Sequence, residues 1–275
     1  MKPILTIPNN PHRTGTGHIR EFNTVYSTAS GIPLNSMILQ PWDDRELRPA
    51  ILFIQGSGWT KPYIYSKLTN LSQFVNAGYV VMTIEHRSRL EGHAFPAFLQ
   101  DAKCAVRFLR ANAEKYRIDP DRIAVFGTSS GGNTAMLLGL TGDDERYKTR
   151  EYAEYSDSVQ CVVECFGPTR CENFKAHLVD GGMCTEESMD EVLPAMSPAH
   201  IAEPGAKYPP MLLMHGDADP VVPYEDMLAF GEALDRTNTY YEAVCVHDAP
   251  HEESFWSPQV YDIIQDFIDR QLVKS

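Results

Sequence analysis

No stretch of this 275-residue chain approaches the ~20 consecutive apolar residues of a membrane-spanning helix, so such a span is excluded at the outset. Basic residues are scarce: 24 Lys and Arg against 37 Asp and Glu leave a formal charge of −13. Nucleic acids and anionic membrane surfaces recruit clustered Lys and Arg, so neither is an expected partner. The opening MKPILTIPNNPHRTGTGH lacks the apolar core of a secretion signal, and the chain as given reads as cytoplasmic. Paired cysteines are missing too. Cys104, Cys161, Cys165, Cys171, Cys184 and Cys245 are scattered without a CxxC spacing. Cys161 and Cys165 fall in the apolar run VQCVVECF, where a thiol behaves as a small hydrophobe. The spacing of Cys161, Cys165, Cys171 and Cys184 fits no usual zinc pattern, so no metal or other cofactor is expected. The chain shows no internal repeat and no low-complexity tract.

What is present is an alternation of strand-like and helix-like segments. Residues 1–18, rich in Pro, Asn, Gly and Thr, read as an N-terminal arm, and 19–275 as one domain. IREFNTVYS (19–27) and PLNSMILQP (33–41) flank a Ser-Gly turn and predict an antiparallel hairpin. Buried strands follow at 50–56, 79–85, 123–127, 159–167, 210–216 and 240–246, with helices at 64–77, 97–116, 130–140, 224–236 and 260–272. That order predicts an α/β fold: one mostly parallel central sheet, helices on both faces, and an antiparallel start. The span 168–209 is too long for a plain connection and reads as an irregular insert, either a cap over a site or a solvent-exposed excursion.

The segment IAVFGTSSGGNTAM (123–136) places two serines in a glycine frame between strand and helix. Gly127-Thr128-Ser129-Ser130-Gly131 fits G-x-S-x-G with Ser129 at its centre. The motif works because the nucleophile occupies a strained strand-to-helix turn that flanking glycines relieve. Ser130 opens the helix instead, where its backbone N–H can point at the carbonyl oxygen of a bound ester.

A serine hydroxyl needs a base, and the base needs an orienting carboxylate. Asp217 and Asp219 follow the strand PMLLMHG, and His247 and His251 follow the last strand. All lie just past carboxyl ends of strands, on the same sheet edge as Ser129, where α/β sites form. Asp217 abuts its strand and ties down the turn, whereas Asp219 reaches further out. His251, four residues into its loop, is freer to swing over the serine than His247. Asp219 and His251 are therefore preferred. Gln55-Gly56-Ser57-Gly58-Trp59, after the first parallel strand, can supply a further amide for an oxyanion. Trp59 reads as a wall of the acyl pocket or as core.

With these residues placed, the chain resembles α/β-hydrolase carboxylesterases over roughly residues 48–272. It is most similar to the hormone-sensitive-lipase-like and bifunctional feruloyl/acetyl-xylan esterase group of bacterial carbohydrate esterases. The resemblance rests on FIQGSGW, on HRSRLEGHAFPAFLQDAKCAVRFLRANAEKYRIDPDRIAVFGTSSGG and on SPAHIAEPGAKYPPMLLMHGDADPVVP, together with the late histidine. It implies Ser129 as nucleophile, Asp219 as acid and His251 as base, with oxyanion amides from Ser57, Gly58 and Ser130. The sequence departs from the family where His-Gly-Gly-Gly becomes Gln55-Gly56-Ser57-Gly58, and where Ser130 replaces a common alanine. The first change leaves open which pair of loop amides faces the site.

The expectation is a serine esterase acting through an acyl-enzyme. The resemblance implies short acyl esters, acetyl foremost, on acylated oligosaccharides from plant polysaccharide. The alternatives are a serine peptidase of the prolyl-oligopeptidase type and a non-catalytic binding module on a hydrolase scaffold. The sequence is compatible with a homo-oligomer and does not decide it.

Overall fold

A computed structural model describes residues 17–28, 30–42 and 46–272. Residues 1–16 of the expected arm lie outside them, while Gly17 and His18 already belong to the first strand. The strands are β1 (Gly17–Ser27), β2 (Leu34–Pro41), β3 (Arg48–Ile54), β4 (Val80–Ile84), β5 (Ile118–Thr128), β6 (Cys161–Cys165), β7 (Met211–Gly216) and β8 (Tyr241–Val246). They form one sheet in the order β1-β2-β4-β3-β5-β6-β7-β8. β2 pairs antiparallel with both β1 and β4, and every other pairing is parallel. This is the expected mostly parallel sheet with an antiparallel N-terminal hairpin. The edge strand β1 slips register against β2 at three points, as bulged edges do.

The helices are α1 (Leu68–Asn76), α2 (Ala97–Ala111), α3 (Ala113–Tyr116), α4 (Ser130–Leu140), α5 (Lys175–Asp180), α6 (Met189–Ala195), α7 (Pro198–Ile201), α8 (Tyr224–Leu234) and α9 (Pro258–Leu272). Strand side chains alternate between two cores. Ile51 and Phe53 face α1 and α9, whereas Ala50, Leu52 and Ile54 face α2, α4 and α8. Every residue of α4 is buried, as a helix walled in by sheet and neighbouring helices must be. Among the described residues no helix is long and apolar enough to cross a membrane.

The span 168–209 differs from the irregular insert expected of it. It carries α5, α6 and α7, each of four to seven residues, too short to print a helical period on the sequence. Three polar anchors hold it. Asn133 of α4 donates from Nδ2 to the Pro168 carbonyl (2.8 Å) and the Met196 carbonyl (2.9 Å). The buried Asp226 of α8 accepts from the Thr169 amide (3.0 Å), Arg170 Nη2 (3.0 Å) and Asn173 Nδ2 (3.0 Å). Arg89 donates from Nε to the Gly58 carbonyl (2.7 Å) and meets His177 Nε2 from Nη2 (2.9 Å).

A buried charge cluster fastens α2 to the loop before β6. Asp157 pairs with Lys103 Nζ (2.6 Å) and Arg107 Nη1 (2.9 Å), and it accepts the Asp143 amide (2.9 Å). All three charged side chains are essentially inaccessible to solvent. Removing the one acid strands two cations, which typically costs about 3–5 kcal/mol. Asp157→Ala is therefore expected to lose about that much in urea unfolding. A wild-type midpoint and slope would show that the cluster contributes nothing net.

Candidate active site

β5 delivers Ser129 at φ 52° and ψ −125°, a backbone conformation that a side chain strains to hold. The strain is accommodated because nearby positions carry no Cβ. A Cβ on Gly127 would stand 2.0 Å from the Gly131 carbonyl oxygen, and one on Gly131 would stand 2.0 Å from the Ile54 carbonyl oxygen. The turn is pinned by the Ser129 amide donating to the Cys165 carbonyl (2.9 Å) and by the Asn133 amide donating to the Ser129 carbonyl (3.0 Å). Ser130 is the first residue of α4, so the first amides of the helix have no acceptor within it.

The structure brings Ser129, His251 and Asp219 into one line. His251 Nε2 lies 2.9 Å from Ser129 Oγ, and its Nδ1 lies 2.7 Å from Asp219 Oδ2. The carboxylate can only accept, so Nδ1 carries the proton and Nε2 is free to accept from the serine hydroxyl. The Asp219 side chain is inaccessible, and that of His251 is 13% exposed. Burial by itself would raise the Asp219 carboxyl. Donation from His215, from His251 and from the Val222 and Val221 amides outweighs it and holds the group well below the usual carboxylate range. The buried Phe166 backs the His251 ring, with centroids 4.6 Å apart.

The two residues set aside find each other instead. His247 Nδ1 meets Asp217 Oδ2 at 2.8 Å, with the histidine side chain 82% exposed. Asp217, His247 and Asp248 present ligand atoms within 4.8 Å of one another on that exposed rim, the one such group among the described residues. Five of the six cysteines are buried singly, and Cys245 is exposed.

The expected oxyanion loop follows β3. Of its amides, that of Ser57 donates to Ser130 Oγ (2.9 Å), and that of Gly56 donates to Thr128 Oγ1 (3.0 Å). Gly58 has φ 61°, a conformation natural to glycine. The Ser130 hydroxyl thus engages one of the three amides expected to face the site. Trp59 is 4% exposed and packs on Phe98 with centroids 6.0 Å apart, so most of its ring belongs to the core. Its indole Nε1 is buried without a partner among the described residues.

Sequence reasoning missed Phe166 and His215. His215, the residue before the end of β7, is fully buried, with Nε2 3.3 Å from Asp219 Oδ2. No local pattern marks it, because its partner is supplied by a loop that turns back.

Comparison with known proteins adds a family. The BD-FAE family model matches residues 37–234. The chain is 31% identical to Esterase LipC of Mycobacterium tuberculosis over 214 residues, which are 72% of this chain and 52% of that protein. It is 28% identical to Esterase LipQ of the same organism over 68% of this chain and 45% of that one. The chain therefore spans about half the length of these curated relatives. Among solved structures, a truncated carbohydrate esterase from gut microbiota superposes with a TM-score of 0.81 at 25% identity, covering 96% of this chain and 99% of that one. The propionate-bound esterase Est2 of Thermogutta terrifontis gives 0.75 at 25%, covering 96% and 95%. With the family match running from β2 through α8, across the strained serine turn and the acid loop, the chain belongs to the BD-FAE family of α/β-hydrolases.

Proposed function

We propose that this protein is a serine esterase that hydrolyses short acyl esters, acetyl foremost, on carbohydrate. The observation that carries the reading is Ser129, held at φ 52° within 2.9 Å of a histidine that a buried aspartate orients. Ser129 Oγ attacks the ester carbonyl while His251 Nε2 takes its proton. Asp219 holds the imidazole and balances its positive charge. The amides of Gly58 and Ser130 receive the oxyanion, and Ser57 stands beside them through its bond to the Ser130 hydroxyl. His251 then returns the proton to the departing alkoxide. Water cleaves the acyl-enzyme by the same path in reverse.

The carbohydrate leaving group is supported by the likeness to a gut carbohydrate esterase, and the short acyl group by the likeness to an esterase that holds propionate. Acetate release from acetylated xylan, mannan and pectin oligosaccharides, followed beside an aminoacyl nitroanilide, tests the reading against a peptidase. Amide cleavage without ester cleavage would overturn it.

Ser129→Ala is expected to cost on the order of 10⁴ or more in kcat, while Ser130→Ala stays within about tenfold of wild type, since only its backbone and one hydrogen bond are engaged. His251→Ala should be nearly as damaging as Ser129→Ala, and His247→Ala mild; reversal of either pair refutes the assignment. On nitrophenyl esters, kcat/KM should fall steeply from two to eight acyl carbons. Trp59→Phe, which keeps the core largely filled, should flatten that slope. An unchanged slope would assign Trp59 to packing alone.

A further inference from the structure

Four donors converge on the Asp219 carboxylate. Oδ1 accepts the amides of Val221 (2.8 Å) and Val222 (3.0 Å). Oδ2 meets His251 Nδ1 at 2.7 Å and His215 Nε2 at 3.3 Å. His215 Nε2 also lies 2.9 Å from the Val222 carbonyl. A carboxylate and a carbonyl only accept, so Nε2 must carry a proton that the two share.

That tautomer leaves His215 Nδ1 as a bare lone pair when the ring is neutral, and Nδ1 is buried without a partner among the described residues. So is Oε1 of Glu164, whose other oxygen accepts the Gly167 amide at 2.9 Å. The two residues share a face of the sheet. Glu164 of β6 pairs with Leu213 of β7, which puts His215 on the diagonal of the same sheet face, beneath α4 and α8. Burial pushes the Glu164 carboxyl up to about 7 against the opposing pull of His215, with Asp226 of α8 adding to the rise. For His215, burial favours the neutral ring, but Asp219, Glu164 and the Val222 carbonyl together outweigh it and shift the group upward. The Tyr224 ring of α8 closes the remaining side, 6.0 Å between centroids.

We propose that His215 is a positioning residue: its Nε2–H fixes the rotation of the Asp219 carboxylate so that Oδ2 meets His251. The inference rests on the Ser129–His251–Asp219 reading. It separates orientation from contact, since His215 is fully buried and lies behind the acid. Losing the Nε2–H leaves the carboxylate freer to turn and less compensated. A less compensated carboxylate favours the charged form of His251, so the acid limb of kcat/KM moves to higher pH.

The test is the kinetics of His215→Leu, His215→Phe and His215→Gln on nitrophenyl acetate from pH 5 to 9, in the full chain. His215→Leu should lower kcat by about 10- to 100-fold, as misorientation does, with KM within about twofold of wild type. Its acid limb should move to higher pH. His215→Gln, which can return an N–H to Oδ2, should restore most of kcat and the wild-type acid limb. Wild-type kcat and pH profile in His215→Leu overturn the proposal; so do equal losses in the Leu and Gln variants with an unmoved acid limb. Should thermal melting show His215→Leu unfolded, His215→Phe, which keeps a ring but no N–H, decides: wild-type kcat and pH profile there overturn it. Ser129→Ala is the control. An active Ser129→Ala enzyme refutes the triad itself, whereas an inactive one beside a wild-type His215→Leu refutes only this inference.

Discussion

Three chain segments have to pass closer than side chains allow, and the molecule is arranged around that crowding. Gly127 and Gly131 let β5 double back into α4, and the Gly131 backbone also touches the end of β3 at Ile54. A Cβ on Gly56 would stand 2.7 Å from the Ser129 Cβ. With the Cβ atoms absent, the loop after β3 and the serine turn meet directly, and Ser129 is held in its strained conformation by contacts on every side. The first turn of α4 is thereby aimed at the sheet edge. One turn further, Asn133 reaches the insert at Pro168 and at Met196.

The same sheet edge carries two acid–histidine pairs of equal hydrogen-bond quality, and their surroundings set them apart. Asp217–His247 sits in solvent, where water screens the charge and competes for both partners. Asp219–His251 is sealed beneath Phe166 and fed by backbone amides, so its carboxylate is fixed in orientation and keeps its charge. An offset of two residues in the acid loop and four in the histidine loop separates a surface ion pair from the pair that touches the serine.

Much of this arrangement was legible in the sequence, for local reasons. Strand runs of five to eleven residues with glycine punctuation identified every element of the sheet, and the turn Gly127–Gly131 announced its own geometry. The distance of Asp219 and His251 from their strand ends was enough to distinguish them from Asp217 and His247. What escaped depends on how loops fold back. His215, only four residues before Asp219, gains its contact because the loop after β7 turns back on the strand end. The bond from the Ser57 amide to the Ser130 hydroxyl joins positions 73 residues apart. The helices of the insert are single turns or little more, one with Pro194 inside it, and their boundaries follow from the anchors rather than from any periodicity.

Those anchors bear on how such a chain diversifies. The insert contributes Pro168, Thr169, Arg170, Asn173, His177 and Met196 to contacts whose other halves are Arg89, Asn133 and Asp226. Those three residues lie after β4, inside α4 and at the start of α8, so none is carried along when the insert alone is exchanged. A transplanted insert would leave a buried aspartate and a buried asparagine amide without partners. The heritable module is therefore discontinuous: a segment together with three distant positions, which must recombine or co-vary as one.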